Sequence, residues 1–394
     1  MRSSEIILKA GIMTAVLVCL LFLLDFALYP CTFIRNDIHA VSENTYDDIY
    51  MGSSYGKMDF DPSTVYENAG RTGHNVCVGG EYAVDSYYMI RMITERGHKP
   101  ERLIYELSPG YYVREKEEGN NYLLFYHEFP FCRTKLAYFA DTVAKCNFRT
   151  LFFPWYEYDL SYELAHLSET LDRRIHKDYS PEGFETDTQK YHEDGFIERY
   201  PVDPEEFSWD GLDEIFPEDL LPENLSYLRK MVEFCNEEGI EFIAVVTPQQ
   251  DDVLEEFYDG FEALDDYFTD FFEEYGVTYI NFNEDPYYGL AAHDPASFTD
   301  LDGHLNGDAA KAFSETLSIV LNGDMDLTGG MDEAEEDEEA SFEEAEEEGP
   351  GEEEADEDEP GEEDAGEEDA GEEEPDGEEP GEDDWEEDEP ELLG

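Results

Sequence analysis

Residues 241–247 read EFIAVVT, a short run dominated by β-branched and aromatic side chains, with Gly239 two positions before it. A run of that length without polar alternation reads as a strand buried on both faces, the kind found in parallel sheets. Residues 225–238 upstream carry apolar side chains at helical spacing, and Gly239 is a stop signal for that helix. Downstream, 260–275 reads as a helix and VTYINF at 277–282 as the next strand. The same alternation extends towards the N-terminus. LIYEL at 103–107 ends in Ser108-Pro109-Gly110, and 81–96 is helical through Tyr88, Ile90, Met92 and Ile93. NVCV at 75–78 ends in Gly79-Gly80, and YDDIYM at 46–51 runs into Gly52-Ser53-Ser54. A last helix is expected over 308–321, with Asp308 as its cap. Strands alternating with helices predict an α/β chain: a three-layer α/β/α sandwich around a mainly parallel sheet.

The other segments hang on this frame. Residues 10–29, AGIMTAVLVCLLFLLDFALY, are long enough for a spanning helix. Arg2 and Lys9 precede them, so an uncleaved signal anchor is expected, with residues 1–9 cytoplasmic and the body extracytoplasmic on the cell membrane. Residues 30–43 read as a linker and 44–327 as the folded domain. Between the third and fourth strands, 111–222 form a long helical insertion rich in aromatics (Phe125, Tyr126, Phe152, Trp155), expected to pack as a cap beside the strand ends. Residues 328–394 are acidic repeats with almost no apolar content, expected to be disordered.

The formal charge is -80, and 39 of the 103 acidic residues but none of the 23 basic ones fall in 331–394. So few cations exclude nucleic acid as a partner, because that binding rests on neutralising phosphates. Diffuse cations on the tail are the natural counterions. The six cysteines show neither a C-x-x-C pair nor zinc-ligand spacing, so free thiols are expected, with no metal and no cofactor. Glu106 and Asp252 could be imagined as a glycosidase carboxylate pair, but such pairings are cheap in a chain this acidic.

Two segments combine nucleophile and base at predicted strand ends. In IYMGSSYG (49–56), a turn after a strand presents Ser54 at the carboxyl edge of the sheet, beside backbone N–H groups able to stabilise an oxyanion. In FTDLDGHLN (298–306), His304 has carboxylates two and four residues earlier, suited to orienting an imidazole. Together with NVCVGGEYAVDSYYMI, ERLIYELSPGY and FFPWYEY, these stretches resemble the SGNH (GDSL-like) hydrolase superfamily. More narrowly, they are similar to its membrane-anchored DltD and alginate O-acetylation subgroup, over about residues 44–321.

The resemblance implies Ser54 as nucleophile and His304 as general base, with Ser54 N–H and the Gly79-Gly80 backbone as the oxyanion hole. The family's aspartate three residues before the histidine is replaced by Leu301. Asp302, a small loop shift from the ring, is therefore the expected orienting group, and Asp300 the alternative. Glu106-Leu107-Ser108-Pro109 stands where a Gly-x-Asn-Asp segment is usual, which removes the expected asparagine donor. The function implied is a serine esterase or O-acyltransferase acting on acyl esters of cell-envelope polysaccharide, working with a multi-pass membrane O-acyltransferase. The alternatives are a catalytically degenerate binder of glycans or a partner protein, and a cation buffer built on the tail.

Overall fold

The computed structural model describes residues 3–29, 31–66, 70–115, 122–146, 164–204, 207–209 and 211–323. The acidic repeats and the aromatics Phe152, Phe153, Trp155, Tyr156 and Tyr158 lie outside the described residues. Five strands form the central sheet in the order β2-β1-β3-β6-β7: β1 (Asp48–Met51), β2 (Gly73–Asn75), β3 (Arg102–Glu106), β6 (Glu241–Val246) and β7 (Thr278–Asn281). Every pairing in it is parallel. The second strand starts earlier than the NVCV reading. Its continuation still runs beside β1, with Val76 N–H donating to Tyr50 O at 2.9 Å and Val78 N–H to Gly52 O at 3.0 Å.

Side chains alternate across this sheet with the two-residue period of a strand. Ile49, Met51, Leu103, Tyr105, Phe242 and Ala244 face one core. There they meet the buried sides of α4 (Ala83–Glu95), α5 (Pro222–Glu238) and α6 (Tyr258–Tyr275). Tyr50, Ile104, Ile243, Val245 and Ile280 face the other core, against Phe313 and Leu317 of α7 (Gly307–Leu321). Burial on both faces explains why EFIAVVT shows no polar alternation. The result is the expected α/β protein with a mostly parallel sheet between helical layers.

Three local expectations are corrected. The stretch read as a linker holds α2 (Ile34–Glu43), whose Ile34, Ile38 and Val41 are buried. Its Asp37 accepts from the fully buried Lys57 ammonium at 2.7 Å and from Tyr191 at 2.7 Å, tying α2 into the body. The insertion contains an antiparallel hairpin, β4 (Gln189–Tyr191) with β5 (Ile197–Arg199), as well as helices. The cap of α7 is Asn306, whose side chain accepts from Ala309 N–H, so Asp308 lies inside the helix. Asn, like Asp, is a preferred cap, so composition alone could not separate the two.

α1 (Ser3–Leu28) is long and apolar enough to cross a membrane, and its side chains, such as Ile7 and Phe22, are exposed. Cys19, Cys31, Cys77, Cys132 and Cys235 are free thiols.

Candidate active site

The order β2-β1-β3 means that the chain leaves β1 in one direction and later returns on its other side. Such a reversal opens a crevice at the carboxyl ends of β1 and β3, where doubly wound sheets bind ligands. Both segments singled out above arrive at this crevice.

From β1 the chain turns at Gly52 (φ 145°), a backbone angle open to glycine alone in practice. A Cβ there would also come within 2.6 Å of the Glu106 side chain. Ser53 then caps the short helix α3 (Ser54–Asp59). Ser54 is therefore its first residue, and the Ser54 N–H belongs to a turn whose amides have no intrahelical acceptor.

Ser54 and His304 meet. The imidazole Nε2 lies 2.8 Å from Ser54 Oγ, and Nδ1 lies 2.7 Å from Asp300 Oδ2. Hydroxyl, imidazole and carboxylate thus form one continuous line. The orienting carboxylate is Asp300, which corrects the expectation of Asp302. The reason is the path of the loop. Asp300 Oδ1 accepts from the N–H groups of Gly303 and His304, both at 3.2 Å, closing a tight turn. Gly303 (φ 113°) reverses the backbone, and the Asp302 carbonyl is held by Gln249 Nε2 at 2.7 Å while its side chain is exposed. Further support comes from Asp59, at the end of α3, which accepts from Leu305 N–H at 3.0 Å. The Tyr55 ring stacks on the imidazole at 4.7 Å and 16°.

Electrostatics fit this pairing. Burial opposes ionisation of Asp300, but His304 beside it holds its carboxyl below the usual range. Burial would lower the His304 pKa, yet Asp300, with Asp59 and Asp302, leaves it above the ordinary imidazole value. Asp300, Asp302 and His304 offer ligand atoms within 4.8 Å of one another. Both imidazole nitrogens are already committed, however, so the trio has no free nitrogen for a metal.

Gly79 and Gly80 follow the extended 76–78 segment, with Gly80 at φ 68°. Facing them is a residue that the sequence reading missed. Tyr111 ends the short 3₁₀ turn Pro109–Tyr111 after β3, and its hydroxyl interacts with both Ser54 and the Gly80 backbone amide. Burial raises its pKa, so it stays a neutral phenol. The only signal for it was its place five residues after Glu106, in the segment that replaces the usual asparagine.

Glu106, set aside in the sequence as half of a carboxylate pair, has a different place here. It is buried in the switch crevice, where its Oε2 accepts from Ser53 N–H at 2.6 Å and Ser53 Oγ at 2.7 Å. Burial pushes its carboxyl up to about 7. It braces the turn that carries Ser54. Asp252, once a conceivable partner for it, is exposed on its own helix.

No protein-family model matches the chain, and no curated protein matches it. Among solved structures, the chain is similar to a protein from Desulfitobacterium hafniense DCB-2, described provisionally as a lipolytic protein of G-D-S-L family. The TM-score is 0.32 at 10% identity, covering 70% of this chain and 99% of that one. The functional reading therefore rests on the site itself.

Proposed function

We propose that this chain is an SGNH-type serine esterase or O-acyltransferase, anchored by α1 with its body outside the cell membrane. The observation that carries the reading is the unbroken line Ser54 Oγ, His304 and Asp300, at 2.8 and 2.7 Å. Ser54 Oγ attacks the ester carbonyl while its proton passes to His304 Nε2. Asp300 fixes the tautomer, with the proton on Nδ1, and stabilises the imidazolium that forms.

The Ser54 hydroxyl has a single hydrogen, and His304 takes it, so any hydrogen between Tyr111 and Ser54 belongs to Tyr111. Once Ser54 Oγ becomes an ester oxygen, the Tyr111 O–H is free to donate to the new oxyanion alongside Ser54 N–H, in place of the asparagine. Collapse breaks the bond to the alcohol, which leaves with the proton from His304. Water or a sugar hydroxyl then gives its proton to His304 and attacks the acyl-Ser54. Ser54 is restored, with the acyl group released as an acid or carried on a new ester.

The resemblance described above points to acyl esters of cell-envelope polysaccharide as substrate and to a multi-pass membrane O-acyltransferase as partner. The test is fluorophosphonate labelling of the full-length chain. Labelling of the wild type, absent in Ser54→Ala and His304→Ala variants that remain folded, supports the enzyme. A folded wild type that takes no label favours the degenerate binding protein.

A further inference from the structure

A cavity of about 160 Å³ lies beside the candidate active site, at the carboxyl ends of β3 and β6. Its lining includes Tyr55 and Gly303, the sequence neighbours of Ser54 and His304. Its walls are mainly apolar: Leu107 after β3, Val253 and Phe257 from the 251–257 stretch, Leu264 of α6, and Leu212 and Ile215 from the insertion. A hollow of similar size, about 150 Å³ and apolar, is enough to take up benzene in another protein.

The insertion segment is fixed in place as a wall. Gly260 N–H donates to Glu214 Oε1 at 2.9 Å, and a Cβ on Gly260 would come within 2.7 Å of the Ile215 carbonyl oxygen. Only glycine on α6 lets the two segments approach so closely. The lining also carries acidic side chains, Asp302, Asp213 and Glu106 among them. A carboxylate would be repelled there, whereas a neutral ester would not.

We propose that this cavity receives the apolar acyl chain of the ester substrate, about six carbons long, so the acyl group handled is larger than acetyl. The inference rests on the serine-ester reading and deepens it by naming the acyl class. Removing apolar surface from water favours binding with each added methylene until the cavity is full. The acidic lining then favours release of the acid product.

The experiment uses the full-length chain in nanodiscs and p-nitrophenyl esters from acetate to dodecanoate. We expect kcat/KM to peak near hexanoate, at least tenfold above acetate. In Ile215→Trp, which fills the cavity from its partly exposed wall, the hexanoate value should fall about tenfold while acetate stays within a factor of two. Leu212→Trp is the second filling variant if the first does not fold. A profile that peaks at acetate, or one that neither filling variant changes, overturns the proposal.

Methyl hexanoate titrated into Ser54→Ala, against empty nanodiscs, separates the two readings. Binding that Ile215→Trp removes, in a chain with no Ser54-dependent turnover, keeps the cavity and rejects the esterase. Ser54-dependent turnover without methyl hexanoate binding keeps the esterase and rejects the cavity assignment.

Discussion

Asp48 and Glu106 are both buried carboxylates on adjacent strands, at opposite ends of the same sheet, and they ionise in opposite directions. Burial opposes ionisation of each. At the amino end, Arg102 at 2.5 Å, Arg71 at 2.6 Å and the Tyr66 hydroxyl at 2.5 Å outweigh it, holding Asp48 below the usual carboxyl range. At the carboxyl end, Glu106 has hydrogen-bond donors but, among the described residues, no ion-pair partner, and burial raises its pKa to about 7. One end of the sheet is neutralised for stability. The other keeps a poorly solvated acid under the turn that carries Ser54, at the end where doubly wound sheets place their ligand sites.

The largest expected effect sits at the carboxyl end. Replacing Asp300 with Asn should lower kcat by about a hundred- to ten-thousandfold, as loss of the correct tautomer does in other serine hydrolases. It should also move the pH limb. The base works as neutral imidazole, so wild-type activity climbs with pH through a His304 pKa that lies above the ordinary value. Without Asp300 that pKa falls, and the climb shifts to lower pH. Asp302→Asn, whose carboxylate does not bond the ring, should change kcat less than about threefold. A pH–rate profile of the three proteins checks this, and equal losses in both variants would erase the distinction.

At the amino end, Asp48→Ala leaves the Arg102 guanidinium buried without its carboxylate. A broken pair of this kind costs about 3–5 kcal/mol, read as a fall in the denaturation midpoint. A smaller effect on stability is expected at Glu106. Its pKa is higher folded than unfolded, so its contribution to stability is full below about 4.5 and is lost as pH rises through about 7. Over that window the loss approaches about 3 kcal/mol at most. Glu106→Gln should flatten this fall in denaturation measured from pH 5 to 8. Asp48 runs the other way: its contribution is present above the ordinary carboxyl range and is lost as pH falls through its lowered pKa. A Glu106→Gln profile as steep as the wild type would remove the contrast between the two ends.

The sheet was legible because its signals are local. EFIAVVT and LIYEL show burial on both faces within a few residues, and Gly239 marks the helix end in sequence and structure alike, at φ 68°. The pairing of Ser54 with His304, 250 positions apart, was legible only as a resemblance between two short stretches. The choice between Asp300 and Asp302 was not legible. It depends on Gln249 and Gln250, which hold the backbone carbonyls of Asp302 and Asp300 from a distant loop. Tyr111 escaped for the same reason, and Glu106 was noticed without its role, since both roles come from neighbours that the sheet brings together. α2 was read as linker because its buried positions are interspersed with Asp37 and Ser42, polar residues that the fold also buries.

The central claim is that Ser54 is the nucleophile, and locating the acyl group tests it most directly. The full-length chain is mixed with p-nitrophenyl butyrate, quenched in acid within the first turnovers, digested and mapped by mass spectrometry. The account predicts a butyryl adduct on Ser54 that is absent when His304 is replaced by Ala. Turnover without any adduct at Ser54, or with the adduct on another residue, would contradict it.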